Sequence, residues 1–397
     1  MNDPTIATPG VATRVPLPAA VAPLFHERFV DSCSLLEEYV GRCVEGLARD
    51  WGLVEAAATA GDAEELAGRL GFASERAAAV LPWMLALLHR RGHLRRSGEE
   101  GGLRYLRAEV PPANGGLDEI LDRQRRLDAT ALPAYDLADR AAASYPEFLS
   151  GGRRGEELLF EDSGLETWLR YFSPDNPLYA VSNHIGALAV ETWLPRPSGR
   201  WLEIGGGAGS GALSLIASLR GNGGWEGLEA YRFTELVPVL LGRGRRALLA
   251  ATGGDHRLEF GRLDMDRPFA EQGIEPASSA LVYGVNTLHV AHDLAFSLAE
   301  IRRTLAPGGW LVVSECLRPW PGFPVYTEFA FLLLEAYRNP RLDPEMRPTF
   351  GFLTPEAWLR ALDTAGFEDL RMLPDVPQLR ESYPSLVIGA LGGRRPS

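Results

Sequence analysis

Residues 201–211 read WLEIGGGAGSG and hold the first groups suited to chemistry. An apolar run ends in an acid, Glu203, and glycines follow at alternate positions, Gly205, Gly207 and Gly209. Beyond them Ala212, Leu213, Leu215, Ile216 and Leu219 carry helical spacing. This is a strand, a tight turn and a helix start. Alternating glycines let the backbone turn sharply and let a ligand touch it where a Cβ would collide. The helix start adds N–H groups without intrahelical partners. A second set is the acids that close later apolar runs, Glu235 and Glu315. A carboxylate at Glu235 can accept hydrogen bonds from paired ribose hydroxyls, or cap the helix that starts near Pro238. The third is His289, in Asn286-Thr-Leu-His289 after another apolar run. Imidazole ordinarily titrates near neutrality and suits proton removal from a weak acid. The plain alternative is a solvent-facing or capping histidine at a helix start. His292, one helical turn later, reads as external.

The glycine turn discriminates between ligands. A dinucleotide fingerprint requires G-x-G-x-x-G. Counted from Gly205 the third glycine falls on Ser210, and counted from Gly207 it falls on Ala212. A phosphate-binding Walker loop needs a lysine, and this chain has none; all 40 basic residues are arginine. What remains, E-x-G-x-G-x-G, resembles motif I of class I S-adenosylmethionine (SAM) methyltransferases. The resemblance implies that Glu203 helps anchor the methionine moiety and that Gly205, Gly207 and Gly209 pass close to the cofactor. SAM carries an ammonium and a sulfonium and no phosphate, so an acid beside the turn makes electrostatic sense. The rival reading is a glycine-rich turn with no ligand.

Bulk properties narrow the class. A chain of 397 residues can bury two domains' worth of core. Its 46% hydrophobic and 23% charged content is ordinary for a globular protein. A net charge of −12 argues against nucleic acid and anionic membranes as partners. Cys33, Cys43 and Cys316 are too few and too scattered for a disulfide framework or a zinc site. Without lysine, Schiff-base chemistry is excluded. No apolar run reaches membrane-spanning length and the start lacks a signal-peptide pattern, so a cytoplasmic enzyme without a metal is expected.

Residues 1–23, rich in Pro, Ala and Thr, are expected as a flexible arm. Residues 24–115 give helix, turn, helix and a two-stranded wing, with Ser74 as an N-cap and a glycine turn at 97–102. A winged helix raises a DNA-binding reading, with Arg90, Arg91, Arg95 and Arg96 as a phosphate footprint. The alanine- and leucine-rich second helix is a poor groove reader, and the unit resembles the dimerisation domain of small-molecule O-methyltransferases. A homodimer is therefore expected. Residues 116–195 are a helical linker and pocket lid, in which Tyr171 and Phe172 are candidate pocket aromatics and Asn183 lies in the one polar cluster. From 196 to 397, strands alternate with helices, the mark of a doubly wound parallel sheet. Strands are expected at 201–204, 231–235, 258–260, 280–285, 310–315, 370–372 and 386–391. The last two, joined by a loop without a helix, suit an antiparallel final hairpin. The fold class is thus α/β: a class I methyltransferase Rossmann-like sheet with an antiparallel last strand, plus a mostly helical winged-helix N-terminal domain.

Within that fold, ligands bind beyond the carboxyl ends of the strands. The methyltransferase pattern implies that Glu235 meets the ribose, Asp264 the adenine amino group, and Met265 the adenine ring. A turn role for Asp264 stays open. The segment 231–318 looks like the C-methyltransferase domains of polyketide synthases. The likeness rests on FTELVP, Leu263-Asp264, Asn286-Thr-Leu-His289 and PGGWLVVSE, then GFLTPEAW and AGF further on. It implies that Asn286 lies at the cofactor site. It also implies that His289 and Glu315, on neighbouring strand ends, form a dyad that takes an α-proton from a β-ketoacyl substrate. The apolar stretch 317–350, with Trp320, Tyr326 and Phe329, is expected to cap the acceptor. The reading is a SAM-dependent C-methyltransferase of a small-molecule or carrier-bound acyl substrate. Alternatives are O-methylation of a phenol or enol, a SAM-binding cyclase that does not methylate, and a winged-helix regulator.

Overall fold

The structure is a computed structural model that describes residues 17–97, 104–108, 116–386 and 388–397. Two strands, β1 (Leu94–Ser97) and β2 (Arg104–Arg107), pair antiparallel as the wing. Most of the expected glycine turn at 97–102 falls outside the described residues. Seven more strands follow: β3 (Gly199–Glu203), β4 (Leu228–Thr234), β5 (Leu258–Gly261), β6 (Ser279–Val285), β7 (Leu305–Cys316), β8 (Glu368–Leu373) and β9 (Ile388–Arg394). They form one sheet in the order β5-β4-β3-β6-β7-β9-β8. Only β9 runs against its neighbours, and it pairs antiparallel with both β7 and β8. Order and direction are those expected for the class I methyltransferase sheet.

Strand alternation divides the core. Trp201, Tyr231, Tyr283 and Val312 face one side, against the helices Pro177–Trp193 and Ser210–Gly221. Leu202, Val282, Leu311 and Val313 face the other, against Leu294–Thr304 and Pro355–Thr364. Side chains of a strand alternate between faces, so a sheet covered on both sides reads as continuous apolar runs. The first of these two cores continues without a break into the N-terminal helices, from Val21 and Phe29 through Met84 to Tyr145. The helical unit is therefore packed onto the sheet domain.

One buried carboxylate ties the two together. Glu328, fully buried, accepts Trp83 Nε1 at 2.9 Å, Val325 N at 3.0 Å, Tyr337 Oη at 2.8 Å and Arg318 at 2.5 Å. Trp83 belongs to the helix Ser74–Arg90 and the rest to the segment after β7. Glu328→Ala leaves Arg318 buried and unpaired, an effect of about 3–5 kcal/mol on unfolding stability. Urea denaturation of the variant measures it. A loss below about 1 kcal/mol would show that this network does not join the units.

Several expectations are corrected. Within the expected flexible arm, residues 17–23 are described, and Val21 is fully buried beside a short helix, Ala22–Phe25; residues 1–16 lie outside the description. Apolar Val21 and Phe25 pin a stretch that composition alone presents as an arm. The helix Ser74–Arg90 is preceded by Ala73, so Ser74 is its first residue and not its cap. A helix, Val376–Ser382, stands between β8 and β9 where a loop was expected. Asp375 caps it by accepting from Gln378 N, and Pro377 sits in its first turn, where proline is tolerated. Of the suspected phosphate footprint, Arg91 is held by Glu38 and Glu45, and Arg90 lies 3.8 Å from the Phe323 ring centroid. Among the described residues no helix is long and apolar enough to cross a membrane.

Candidate active site

The glycine turn lies beyond the carboxyl end of β3. Gly205 has φ +61°, and a Cβ there would meet Thr287 Oγ1 at 1.9 Å, so no other residue fits without movement. Gly207, at φ +58°, has open space on its Cβ side. The helix Ser210–Gly221 starts with no side chain capping its N–H groups. Together they border a cleft of about 330 Å³ that is also lined by Glu203, Glu235, Asp264, Met265 and Asn286. Gly209 does not line it. At φ +96° it starts the helix, and an added Cβ would lie 3.2 Å from the Gly244 Cα, so it serves the turn and helix packing.

The acids of the cleft differ in environment. Glu203 is almost fully buried and accepts the Tyr231 hydroxyl at 2.8 Å. Burial pushes its carboxyl from the ordinary 4.5 up to about 8, against the opposing effect of that hydrogen bond. Glu235 accepts Gly207 N at 2.9 Å on one oxygen and Val237 N at 2.8 Å on the other. It thus clasps the glycine turn to the next strand end, and each oxygen keeps a further lone pair. Asp264 accepts Asp266 N at 3.0 Å, the contact of a turn aspartate, while still bordering the cleft.

A second cavity of about 230 Å³ adjoins the first, and Trp168, Phe172, Tyr179, Asn286 and Val290 border both. Its walls are largely apolar, and their aromatic members include Tyr171, Phe172 and Tyr326, as expected, together with Phe331 and Phe352. Three expected members stand elsewhere. Asn183 turns toward the helix Ser210–Gly221 and donates to Ser210 Oγ at 2.6 Å. Phe329 stacks on Trp83 at 6.0 Å, facing the N-terminal helices. Trp320 packs against Phe323 and the Arg380 guanidinium.

His289 lines this second cavity from a short turn, Leu288–Val290, that follows β6. Its Nδ1 lies 2.6 Å from Glu315 Oε2, near the end of the neighbouring β7. The other Glu315 oxygen accepts Thr287 N at 3.1 Å and Leu288 N at 2.9 Å. Glu315 is therefore fixed to the turn that carries its partner. An ionised carboxylate only accepts, so Nδ1 carries the hydrogen and Nε2 is the nitrogen left with a lone pair. The ring packs on Phe352 at 4.9 Å and on Tyr337 at 5.8 Å. Asn286, at φ +47°, accepts Cys316 N at 2.7 Å and so joins the two strand ends on the wall shared by both cavities. His292 is exposed. A larger groove of about 1560 Å³ lies between the helix Glu27–Trp51 and the wing, and its charges, Arg42, Arg91, His93, Glu38 and Glu45, pair with one another.

The arrangement can hold a cationic, phosphate-free ligand in one cavity and remove a proton from an apolar one in the next. Phe331 and Phe352 are among the pocket residues that escaped sequence reasoning. Phe352 lies within GFLTPEAW, which signalled only its likeness, and Phe331 lies in the FAFLLL run, where apolar residues look alike.

No protein-family model matches the chain. The methyltransferase calH of Penicillium decumbens is 30% identical over 217 residues, 54% of this chain and 54% of that protein. A highly reducing polyketide synthase of Pyrenophora dematioidea is 30% identical over 198 residues, 50% of this chain and 7% of that protein. The chain thus matches about half the length of the first and a small part of the second. The solved structure of the CurJ carbon methyltransferase has a TM-score of 0.72 at 21% identity, covering 95% of this chain and 96% of that one. The trans-methyltransferase CalH in complex with SAH has a TM-score of 0.61 at 20% identity, covering 94% and 92%. The fold is that of class I methyltransferases, helical N-terminal unit included.

Proposed function

We propose that this chain is a SAM-dependent C-methyltransferase of polyketide-type metabolism, acting on the acidic α-carbon of a ketone or β-ketoacyl substrate, free or carrier-bound. The observation that carries the reading is the His289–Glu315 contact in an aromatic cavity that shares its wall with the glycine-turn cleft. The likeness to the carbon methyltransferase CurJ and to CalH, which was solved with SAH, supports it.

The cleft's residues fit SAM. Glu203 can face the ammonium, the uncapped helix start the carboxylate, and Glu235 the ribose hydroxyls. Asp264 and Met265 border the same cleft, where an adenine can meet a polar and an apolar neighbour. Bound there, SAM supplies an electrophilic methyl group on sulfur. His289 Nε2 accepts the proton from the acceptor carbon, and Glu315 holds Nδ1–H and balances the charge the ring gains. The aromatic walls exclude water and hold the acceptor beside the shared wall, which contributes through proximity. Asn286 braces the two strand ends that bear the pair.

Incubation with SAM and a short β-ketoacyl thioester tests the reading. The expected result is formation of SAH and a product heavier by one methyl, placed on the α-carbon by NMR. A methyl found on oxygen, or no turnover across ketone and β-ketoacyl acceptors, would overturn it.

The raised Glu203 carboxyl makes cofactor affinity depend on pH. An ammonium favours the ionised acid, so SAH should bind more tightly as pH rises toward about 8 and then level off. The sign for the empty protein is opposite. A carboxyl raised on folding contributes stability that is fully present below about pH 4.5 and is lost as pH climbs to about 8. Calorimetric titration of SAH at several pH values checks the first effect, and Glu203→Gln should flatten the dependence. An affinity independent of pH in the unmodified protein would remove Glu203 from the ammonium site.

A further inference from the structure

We propose that the Tyr179 hydroxyl is a further catalytic group: it donates a hydrogen bond to the carbonyl oxygen of the methyl acceptor and holds the charge that gathers there as the α-proton leaves. The inference rests on the C-methyltransferase reading above. Tyr179 belongs to the helix Pro177–Trp193 and lines both the glycine-turn cleft and the aromatic cavity, as Asn286 does. Its ring packs edge-on against Phe172 at 4.7 Å and lies 6.1 Å from Tyr171. Asn176 pins the start of the helix, accepting from Leu178 N at 3.3 Å and donating to the Tyr171 carbonyl at 2.7 Å. Three consecutive residues near the end of β7 gather the site. Ser314 Oγ donates to the Ser182 carbonyl, on the helix of Tyr179, at 2.7 Å. Glu315 holds His289, and Cys316 N donates to Asn286 Oδ1 at 2.7 Å.

The last of these bonds fixes which way the Asn286 amide faces. Its oxygen is taken by Cys316 N, so its NH₂ is the end that bonds to the Tyr179 oxygen. A phenol that accepts on oxygen still has its own hydrogen to give. Among the described residues that hydrogen meets no acceptor. In a largely apolar cavity an unpaired donor is unfavourable, and a ligand oxygen is the partner that satisfies it. Burial, with the Cys316 thiol and the Glu203 and Glu315 carboxyls, pushes the phenol pKa above its ordinary 10, against the Asn286 bond. The hydroxyl therefore stays protonated and can donate. When His289 takes the α-proton, the C–H electron pair enters an enolate whose charge gathers on the carbonyl oxygen. That pair then forms the new C–CH₃ bond, while the S–CH₃ pair stays with sulfur. A donor already in place at that oxygen bonds more strongly to the enolate than to the ketone, so it lowers the barrier. The methyl acceptor is thereby narrowed to enolisable carbonyl compounds.

The test is Tyr179→Phe, which keeps the ring and its packing and loses only the hydroxyl. Two steps are read separately. One is methyl transfer from SAM to a β-ketoacyl thioester. The other is exchange of the substrate's α-hydrogen for deuterium with SAH in place of SAM, corrected for the rate without protein. Both should fall about 10–10³-fold, while KM, SAH affinity and melting temperature stay nearly unchanged. Exchange decides: a fall of less than about threefold would overturn the proposal. Exchange kept with methyl transfer lost would place the hydroxyl at the methyl donor. A loss of SAH affinity as large as the loss of rate would return Tyr179 to the cofactor cleft, and it too would overturn the proposal. A wild-type protein that gives neither exchange nor a methylated carbon would instead overturn the reading of the site on which the proposal rests.

Discussion

His289→Ala is expected to lower methyl transfer about 10²–10⁴-fold while leaving SAH affinity almost unchanged. The split follows from where the ring stands. His289 lines the aromatic cavity and is absent from the lining of the glycine-turn cleft. Deleting it removes the only imidazole on that cavity's wall among the described residues, and no contact to the cleft is lost. Steady-state kinetics with SAH titration measures both quantities. Loss of SAH binding without a separate rate effect would move His289 from the chemistry to the cofactor.

Glu315→Gln should be nearly as damaging, for a different reason. The glutamine oxygen can still accept from Thr287 N and Leu288 N, which keeps the turn in place. Its amide NH₂ then points at Nδ1. Facing a donor, Nδ1 must give up its hydrogen, and the hydrogen moves to Nε2. The nitrogen that should accept the substrate proton becomes a donor. The expected loss is about 10²–10⁴-fold in kcat with the melting temperature little changed. A variant retaining more than about a tenth of the wild-type rate would show that Glu315 is a structural acceptor for the turn and does not set the tautomer.

The sheet was legible because its signals are local. Buried parallel strands announce themselves as short apolar runs, and the glycine turn, where Gly205 meets Thr287, can hold nothing larger. The pairing of His289 with Glu315 followed from strand order, which the family resemblance supplied. Side-chain direction on apolar helices was not legible. In the helix Pro177–Trp193 the polar Ser182, Asn183 and His184 are consecutive, so no stripe at helical spacing marked which face Asn183 would take. Phe329 and Phe331 are two residues apart and face opposite ways, one to Trp83 and one to the cavity. The helix Val376–Ser382 is short, and its only strong signal is the Asp375 cap.

The N-terminal helices also back the aromatic cavity. Trp83 reaches Glu328, Tyr145 Oη donates to the Phe329 carbonyl at 2.6 Å, and both lie behind the segment that closes the aromatic cavity. Their packing bears on the position of Tyr326 and Phe331, and so on the shape of that cavity.

A crystal structure of the chain with SAH tests the central claim most directly. The expected result is SAH in the glycine-turn cleft, with its sulfur at the Asn286 wall and facing His289 Nε2 across the acceptor cavity. Sulfur directed away from that wall, or His289 separated from Glu315 in the complex, would contradict the account.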